Sequence, residues 1–210
     1  MSSRKKIQGE TAFERWDDLA LLQGVGRGCE NSFRVLFRRW SPRLGRLLFQ
    51  ITGSRDVAED LLQETFLRIL KAAPQFKPGG SVVSWMYRIC ANLGYSYWRR
   101  RRSSPLLPPG HNDFIGDILA PNHESPDEKF LAGAFASDAQ GAIRRLPPNQ
   151  RMTFLLKIDQ GLTYEEIALV LHCPTGTAKS RFHHAVRRLR EELSAWDENK
   201  IPCWRNQDGL

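Results

Sequence analysis

Cysteine is scarce in this chain: four of 210 residues, at positions 29, 90, 173 and 203, with no close pair among them. That spacing excludes a disulfide-stapled secreted scaffold and lacks the paired thiols of a structural zinc site, so reduced thiols in a cytoplasmic protein are expected. Long apolar runs are also missing. None approaches the roughly 18 residues of a membrane span, and the basic start Arg4-Lys5-Lys6 is not followed by an apolar signal-peptide core. No stable membrane insertion is expected. The chain has no glycine-rich phosphate loop, no cluster of metal-binding carboxylates and no nucleophile beside a base, which excludes nucleotide-driven work and argues against an enzyme such as a nuclease. No cofactor follows from the sequence. His172, Cys173, His183, His184 and Cys203 share the C-terminal part without metal-ligand spacing, and adjacent His183 and His184 would diverge by about 100° on a helix. No metal site is expected.

Positive charge is what the chain has in excess. Thirty-one Lys and Arg stand against 23 Asp and Glu, a formal net charge of +8, which suits a polyanionic partner. The distribution says more than the sum. Basic residues outnumber acidic ones 19 to 9 over residues 1–102, fall to 1 against 6 over 103–138, and recover to 9 against 5 over 139–194. The acidic stretch also carries Ser103-Ser104-Pro105, Pro108-Pro109-Gly110, Pro121 and Ser125-Pro126, the signals of a linker. The expected fold is all-α: two small helical domains, 17–102 and 139–194, joined by a flexible acidic linker, 103–138. An N-terminal extension, 1–16, and a C-terminal tail, 195–210, flank them.

The most specific stretch runs from Gly161 to Arg190. Thr163 with Glu166 three residues on reads as a capping box, after which Ile167, Ala168 and Leu171 fall on one buried face. The break at His172-Cys173-Pro174 follows, with His172 a tolerable residue for a left-handed turn. Thr175 or Thr177 is expected to cap the second helix. There Ala178, Phe182, Ala185, Val186 and Leu189 form the apolar side, leaving Lys179, Ser180, His183, His184, Arg187 and Arg190 to solvent. Helix, tight turn and basic helix are the layout of a DNA-reading helix-turn-helix, with donors and cations on the side a major groove would meet. The alternative is an amphipathic helix whose charges are merely solvated.

In the first basic block, Phe33, Leu36, Phe37, Trp40, Leu44, Leu47, Leu48 and Ile51 recur at steps of three and four, predicting one long helix through about 31–51 despite Pro42, a residue able to kink or interrupt it. Gly53-Ser54 ends it, and Asp56 with Glu59 reads as the capping box of the next helix. That helix has Ala58, Leu61, Leu62, Thr65, Phe66 and Ile69 on its buried side and Asp60, Gln63 and Glu64 opposite, where they read as a solvated acidic face. A turn from Ala73 to Gly80 leads to a third helix, Ser81 to about Arg102, with Val82, Trp85, Met86, Ile89 and Leu93 facing the core. Arg88, Asn92, Tyr95 and Arg99 form a basic, amide-bearing and aromatic stripe, closed by the run Arg99–Arg102. Such a stripe suits single-stranded nucleic acid, whose unpaired bases offer faces to stack on and edges to bond; the alternative makes Tyr95 or Tyr97 a packing residue.

Ala58–Phe66, Trp85–Leu93, the arginine run, and Leu146-Pro147 leading to Gly176–Arg181 together resemble an extracytoplasmic-function sigma factor of the sigma-70 family, collinearly over about residues 17–194. The resemblance implies a bacterial initiation factor that binds core RNA polymerase, recognises two promoter elements and helps melt the DNA by binding energy alone. On it, Asp60, Gln63 and Glu64 would dock on the clamp helices of the largest polymerase subunit, which replaces the reading of that face as merely solvated. The turn Phe76–Ser81, with Phe76 and Lys77, would capture a flipped base of the minus-ten element, offsetting part of an unstacking cost of a few kcal/mol. Trp85, Arg88, Asn92, Tyr95 and Arg99 would guide the non-template strand. Thr177, Lys179, Ser180, Arg181, His183, His184 and Arg187 would read or position the minus-thirty-five element, with an internal bracing role as the alternative for Arg181. The linker would thread through polymerase, and an anti-sigma factor is an expected partner. Cys29, Ser96 and His172 depart from residues the family often carries at those places. The competing class is a stand-alone helix-turn-helix regulator that dimerises on a palindrome.

Overall fold

In the computed structural model, residues 15–103 and 137–194 are described, and all their regular structure is helical. The chain divides into two units, residues 1–109 and 110–210.

The first unit contains α1 (Asp18–Gly26), α2 (Glu30–Thr52), α3 (Arg55–Ala72), a 3-10 turn (Ala73–Gln75) and α4 (Val82–Ser103). Helix α1 has no counterpart in the sequence reading, although its signals are ordinary. The Asp17 carboxylate accepts the Ala20 N–H at 2.7 Å as an N-cap, and Leu21, Leu22 and Val25 are buried at helical spacing. Gly24 is required where α1 meets α2, because a Cβ there would stand 2.2 Å from Ser32 Oγ.

Pro42 lies inside α2 without dividing it. An interior proline costs about 3 kcal/mol, but Leu36 and Trp40 before it and Leu44, Leu47, Leu48 and Ile51 after it are buried. Each such side chain contributes roughly 1.5–3 kcal/mol, so packing holds both halves in line. Gly53 ends α2 in the left-handed region at φ 69°, its N–H reaching Phe49 O at 2.7 Å.

The capping box assigned to Asp56 and Glu59 is incorrect. Ser54 is the extended residue before α3 and its Oγ accepts from Val57 N–H; Asp56 is already in the first turn, and Glu59 pairs with Arg55 at 3.2 Å. A cap must have non-helical backbone angles, which Ser54 has and Asp56 does not. On α3, Ala58, Leu61, Thr65, Phe66 and Ile69 are buried as expected, whereas Leu62 is only half-buried.

Helix α4 starts one residue later than expected, with Ser81 Oγ accepting the Ser84 N–H at 3.2 Å. Its core side is Val82, Met86, Tyr87, Cys90, Ala91 and Leu93; Trp85 and Ile89 are half-buried. The last turn of any helix leaves carbonyls without intrahelical partners, and the second half of α4 fills that need for α2. Trp98 Nε1–H donates to Ile51 O at 3.1 Å, and Tyr97 O–H to Thr52 O at 3.4 Å while accepting from Arg101 at 2.8 Å. Tyr97 is thus a packing residue.

The second unit contains α5 (137–145 among the described residues), α6 (Pro148–Ile158), α7 (Tyr164–Leu171) and α8 (Thr175–Glu192). The capping box of α7 is present in both directions: Glu166 N–H to Thr163 Oγ1 at 3.2 Å, and Thr163 N–H to Glu166 Oε2 at 2.8 Å. His172 closes α7 in the left-handed region at φ 48°, ψ 52°. The buried side of α7 is Ile167 and Val170; Ala168 and Leu171 are half-buried, and Leu169 is 53% exposed. Neither Thr175 nor Thr177 caps α8. Pro174 stands at the N-cap, where its fixed φ suits the helix start, and its carbonyl accepts from Thr177 and Ala178 N–H at 2.9 and 3.1 Å. Phe182, fully buried, stacks on Phe154 with ring centres 6.0 Å apart and meets Tyr164 edge-on at 5.9 Å, joining α6, α7 and α8. Among the described residues no helix is long and apolar enough to cross a membrane.

Candidate functional site

Three exposed surfaces carry the candidate residues, two on the first unit and one on the second. On α3, the spacing 60, 63, 64 puts Asp60, Gln63 and Glu64 on one side. Asp60 and Gln63 are exposed, and Glu64 Oε1 accepts from Arg68 Nε at 2.7 Å at the surface. This surface has an apolar continuation that lies outside the residues singled out from the sequence. Leu67, one turn beyond Glu64, is 50% exposed, and Leu70 and Phe37 are also exposed. Phe37 lies against Phe66, ring centres 4.6 Å apart. The signal was available: Leu67 and Leu70 fall outside the 58–61–65–66–69 core pattern, so the helix has more apolar residues than its buried face can use.

The second surface joins the turn after α3 to α4. Phe76 packs edge-on against Trp85 at 5.2 Å, half-burying both rings, while Lys77 is exposed. Gly79 takes φ 109°, a conformation that favours glycine. Farther along α4, Asn92 and Arg99 are exposed and Arg88 and Tyr95 half-buried, with Tyr95 edge-on to Trp98 at 5.7 Å. Arg88 Nε is buried without a hydrogen-bond acceptor. Steps of 4, 3 and 4 keep Arg88, Asn92, Tyr95 and Arg99 on one side of the helix, so the predicted stripe exists, with Phe76 and Trp85 at its N-terminal end.

The third surface is the outer side of α8. Lys179, Ser180, His183, His184 and Arg187 are exposed; Thr177 and Arg181 are half-buried, which fits the bracing alternative for Arg181. Arg190 is also half-buried. Arg187 reaches His184 Nδ1 at 3.3 Å and stands 4.0 Å from Glu191, contacts too loose and too exposed to neutralise it. Tyr164 receives two cations, Lys157 Nζ at 4.8 Å and Lys179 Nζ at 5.8 Å from its ring centre, and partial burial raises its phenol pKa. Lys157 was not among the sequence candidates.

Among the described residues no group of three or more His, Cys, Asp or Glu could hold a metal ion. Cys29, Cys90 and Cys173 are free thiols, and burial pushes the Cys90 thiol far above its ordinary range. Residues 104–136 of the linker 103–138, the tail 195–210 with Cys203, and residues 1–14 lie outside the described residues, as do the side chains of Arg102 and Ser103; the two ends of the linker, Ser103 and residues 137–138, are helical.

Sequence models of two protein families match the chain in order: Sigma-70 region 2 over residues 36–104 and Sigma-70, region 4, over 138–189. The first match contains the first two surfaces, and the second contains the third. The chain is 32% identical over 165 residues to the ECF RNA polymerase sigma factor SigE of Mycolicibacterium smegmatis, covering 78% of this chain and 62% of that protein. It is 28% identical to the RNA polymerase sigma-H factor of Pseudomonas aeruginosa and 29% identical to the ECF RNA polymerase sigma-E factor of Escherichia coli, covering 93% and 96% of those proteins. The chain thus spans less than two thirds of the mycobacterial protein and nearly all of the other two. Among solved structures, CnrH in complex with the cytosolic domain of CnrY aligns with a TM-score of 0.64 at 20% identity, over 86% of this chain and 99% of that one. The sigma factor RpoE of Bartonella quintana, in complex with the anti-sigma factor NepR, aligns with a TM-score of 0.61 at 25% identity, over 79% and 98%.

Proposed function

The chain belongs to the sigma-70 family, as an RNA polymerase sigma factor of the extracytoplasmic-function type, and from that premise we propose how its surfaces divide the work of transcription initiation. The protein is an initiation factor without catalytic activity of its own, acting in the cytoplasm on core RNA polymerase and promoter DNA. The observation that carries the assignment is the pairing of two different helical units, each with its own outward surface, in the order of the two sigma regions.

Domain two, residues 17–102, attaches to polymerase through Asp60, Gln63 and Glu64, docking on the clamp helices of the largest subunit. Their exposure on one helix side supports this, and the adjacent apolar Leu67 gives the surface area to bury. Phe76, Lys77, Trp85, Arg88, Asn92, Tyr95 and Arg99 bind the opened minus-ten strand. The support is chemical: half-exposed rings for stacking, exposed amide and cations for base edges and phosphates, and a buried Arg88 Nε that lacks an acceptor. Domain four, residues 139–194, places α8 in the major groove of the minus-thirty-five element, with Thr177, Lys179, Ser180, Arg181, His183, His184 and Arg187 as readers or phosphate contacts. The acidic linker 103–138 passes through polymerase. An anti-sigma factor is the expected antagonist, as one is bound to the Bartonella quintana relative.

Run-off transcription with purified core polymerase on a genomic library tests this reading. Promoter-specific transcripts that require the protein are expected. Duplex binding by the protein alone with no such transcript would return it to the class of stand-alone helix-turn-helix regulators.

A further inference from the structure

Cys29 stands at the N-cap of α2, with backbone angles φ −74°, ψ 107°, and its sulfur accepts no capping hydrogen bond from the helix's first N–H groups. A helix start presents unsatisfied N–H groups and the positive end of the helix dipole, both of which favour an anion. The turn before it is fixed: Gly28 takes φ 79°, and Cys29 N–H donates to Gly24 O at 2.9 Å. The side chain is half-exposed, so solutes reach it.

Ser32 supplies a second, independent observation. Its hydroxyl is fully buried in the α1–α2 contact and has no hydrogen-bond partner. An orphaned buried hydroxyl carries a free-energy cost that a suitable acceptor removes. A Cβ built on Gly24 would meet both Ser32 Oγ and Cys29 Cβ, at 2.2 and 3.8 Å, so hydroxyl and cysteine pack against the same face of Gly24. The Ser32 hydroxyl, followed by the Ser32 and Asn31 backbone N–H groups, draws the Cys29 thiol below its ordinary pKa; partial burial and the Glu30 carboxylate oppose them. Glu30 is itself paired with Arg34 at 2.7 Å. A neutral thiol is a weak acceptor and a thiolate a strong one, so ionisation of the sulfur satisfies the hydroxyl and the helix start together.

We propose that Cys29 is a modification site, a thiol that hydrogen peroxide oxidises to the sulfenic acid. The thiolate sulfur attacks one peroxide oxygen; the S–O bond forms as the O–O bond breaks, two electrons pass from sulfur to peroxide, and the departing hydroxide takes a proton from solvent to become water. Cys90 is the internal control, since it is fully buried with its pKa raised and therefore inert.

The test exposes the full chain to graded hydrogen peroxide, traps sulfenic acid with dimedone and maps the adduct by mass spectrometry. Cys29 is expected to be labelled first, about tenfold faster than Cys173 and Cys90, and Ser32→Ala to slow it about threefold or more. Labelling of Cys29 no faster than Cys173, or a rate unchanged in a folded Ser32→Ala protein, overturns the proposal. If Ser32→Ala does not fold, Glu30→Gln decides: removing the opposing carboxylate must speed labelling, and an unchanged rate overturns the proposal.

Discussion

Replacing Phe182 by Ala separates the surface proposed to read DNA from the core that holds it. Phe182 lies on the inward side of α8, fully buried, stacked on Phe154 of α6 and edge-on to Tyr164 of α7. The outward side of the same helix carries Lys179, Ser180, His183 and Arg187. Truncating a buried phenylalanine to alanine costs about 3–5 kcal/mol. A core of fewer than about 70 residues rarely supplies more than about 3–5 kcal/mol in total, so the substitution removes most or all of the stability of the second unit. Phe182→Leu, nearer in volume, costs less than about 1.5 kcal/mol, a fall of at most roughly 6–12 °C in the unit's transition at about 4–8 °C per kcal/mol. Differential scanning calorimetry of the full chain measures both. The expected result for Phe182→Ala is loss of the second unit's transition and of affinity for minus-thirty-five duplex in fluorescence anisotropy, with co-elution with core polymerase through the first unit retained. Phe182→Leu keeps the transition, lowered, and keeps the affinity. A Phe182→Ala protein with wild-type melting and wild-type duplex affinity would refute the argument that this ring joins α6, α7 and α8 into the platform for the reading face.

Charge reversal of Asp60 and Glu64 to Lys should abolish co-elution with core polymerase. It leaves helix content intact, because the Glu64–Arg68 pair it breaks lies at the surface and is worth at most about 0.5 kcal/mol; unchanged co-elution on gel filtration removes the docking assignment. Substituting Asn92 and Tyr95 with Ala should impair strand opening more than closed-complex formation. Trp98, which loses its edge contact with Tyr95, stays anchored on Ile51 O, so α4 remains in place. Equal losses in permanganate footprinting and in closed-complex gel shifts would count against strand capture.

What could be read from the sequence was whatever local chemistry decides. The Thr163–Glu166 capping box needs only a hydroxyl and a carboxylate three residues apart on a helix start, and both of its bonds are present. His172 in the left-handed region and Gly53 at the end of α2 follow equally from backbone sterics. The errors arose where two local signals competed or where packing decided. Ser54 and Asp56 can both cap a helix; the left-handed Gly53 just before fixes the start at Ser54. The apolar pattern predicts one helix across Pro42, and the burial of Trp40 and Leu44 on either side of it is why the proline does not divide that helix. For Tyr97 the sequence leaves stacking and packing open; its hydroxyl, like the Trp98 indole N–H, goes to a terminal carbonyl of α2, a pairing between residues about 45 positions apart that no local pattern encodes.

The candidate surfaces follow a different logic, because a side chain shaped for an external partner has unfinished chemistry inside its own fold. Leu67 is apolar and half-exposed, Arg88 has a buried Nε with no acceptor, and Lys157 and Lys179 share a tyrosine ring rather than a carboxylate. In each, the missing complement has a chemical type: apolar area beside the acidic stripe of α3, an acceptor beside α4, negative charge beside the start of α8. The sequence shows which residue types are present but not which of their demands the fold already meets. Helical spacing puts Tyr95 on the same side as Asn92 and Arg99, and the structure adds that the Tyr97 hydroxyl is bonded to Thr52 and Arg101. Tyr97 and Trp98 are anchored on the terminal carbonyls of α2, whereas Asn92 is exposed on the stripe 88, 92, 95 and 99, and that is why the Asn92 and Tyr95 substitutions, rather than those of Tyr97 or Trp98, discriminate strand capture from folding.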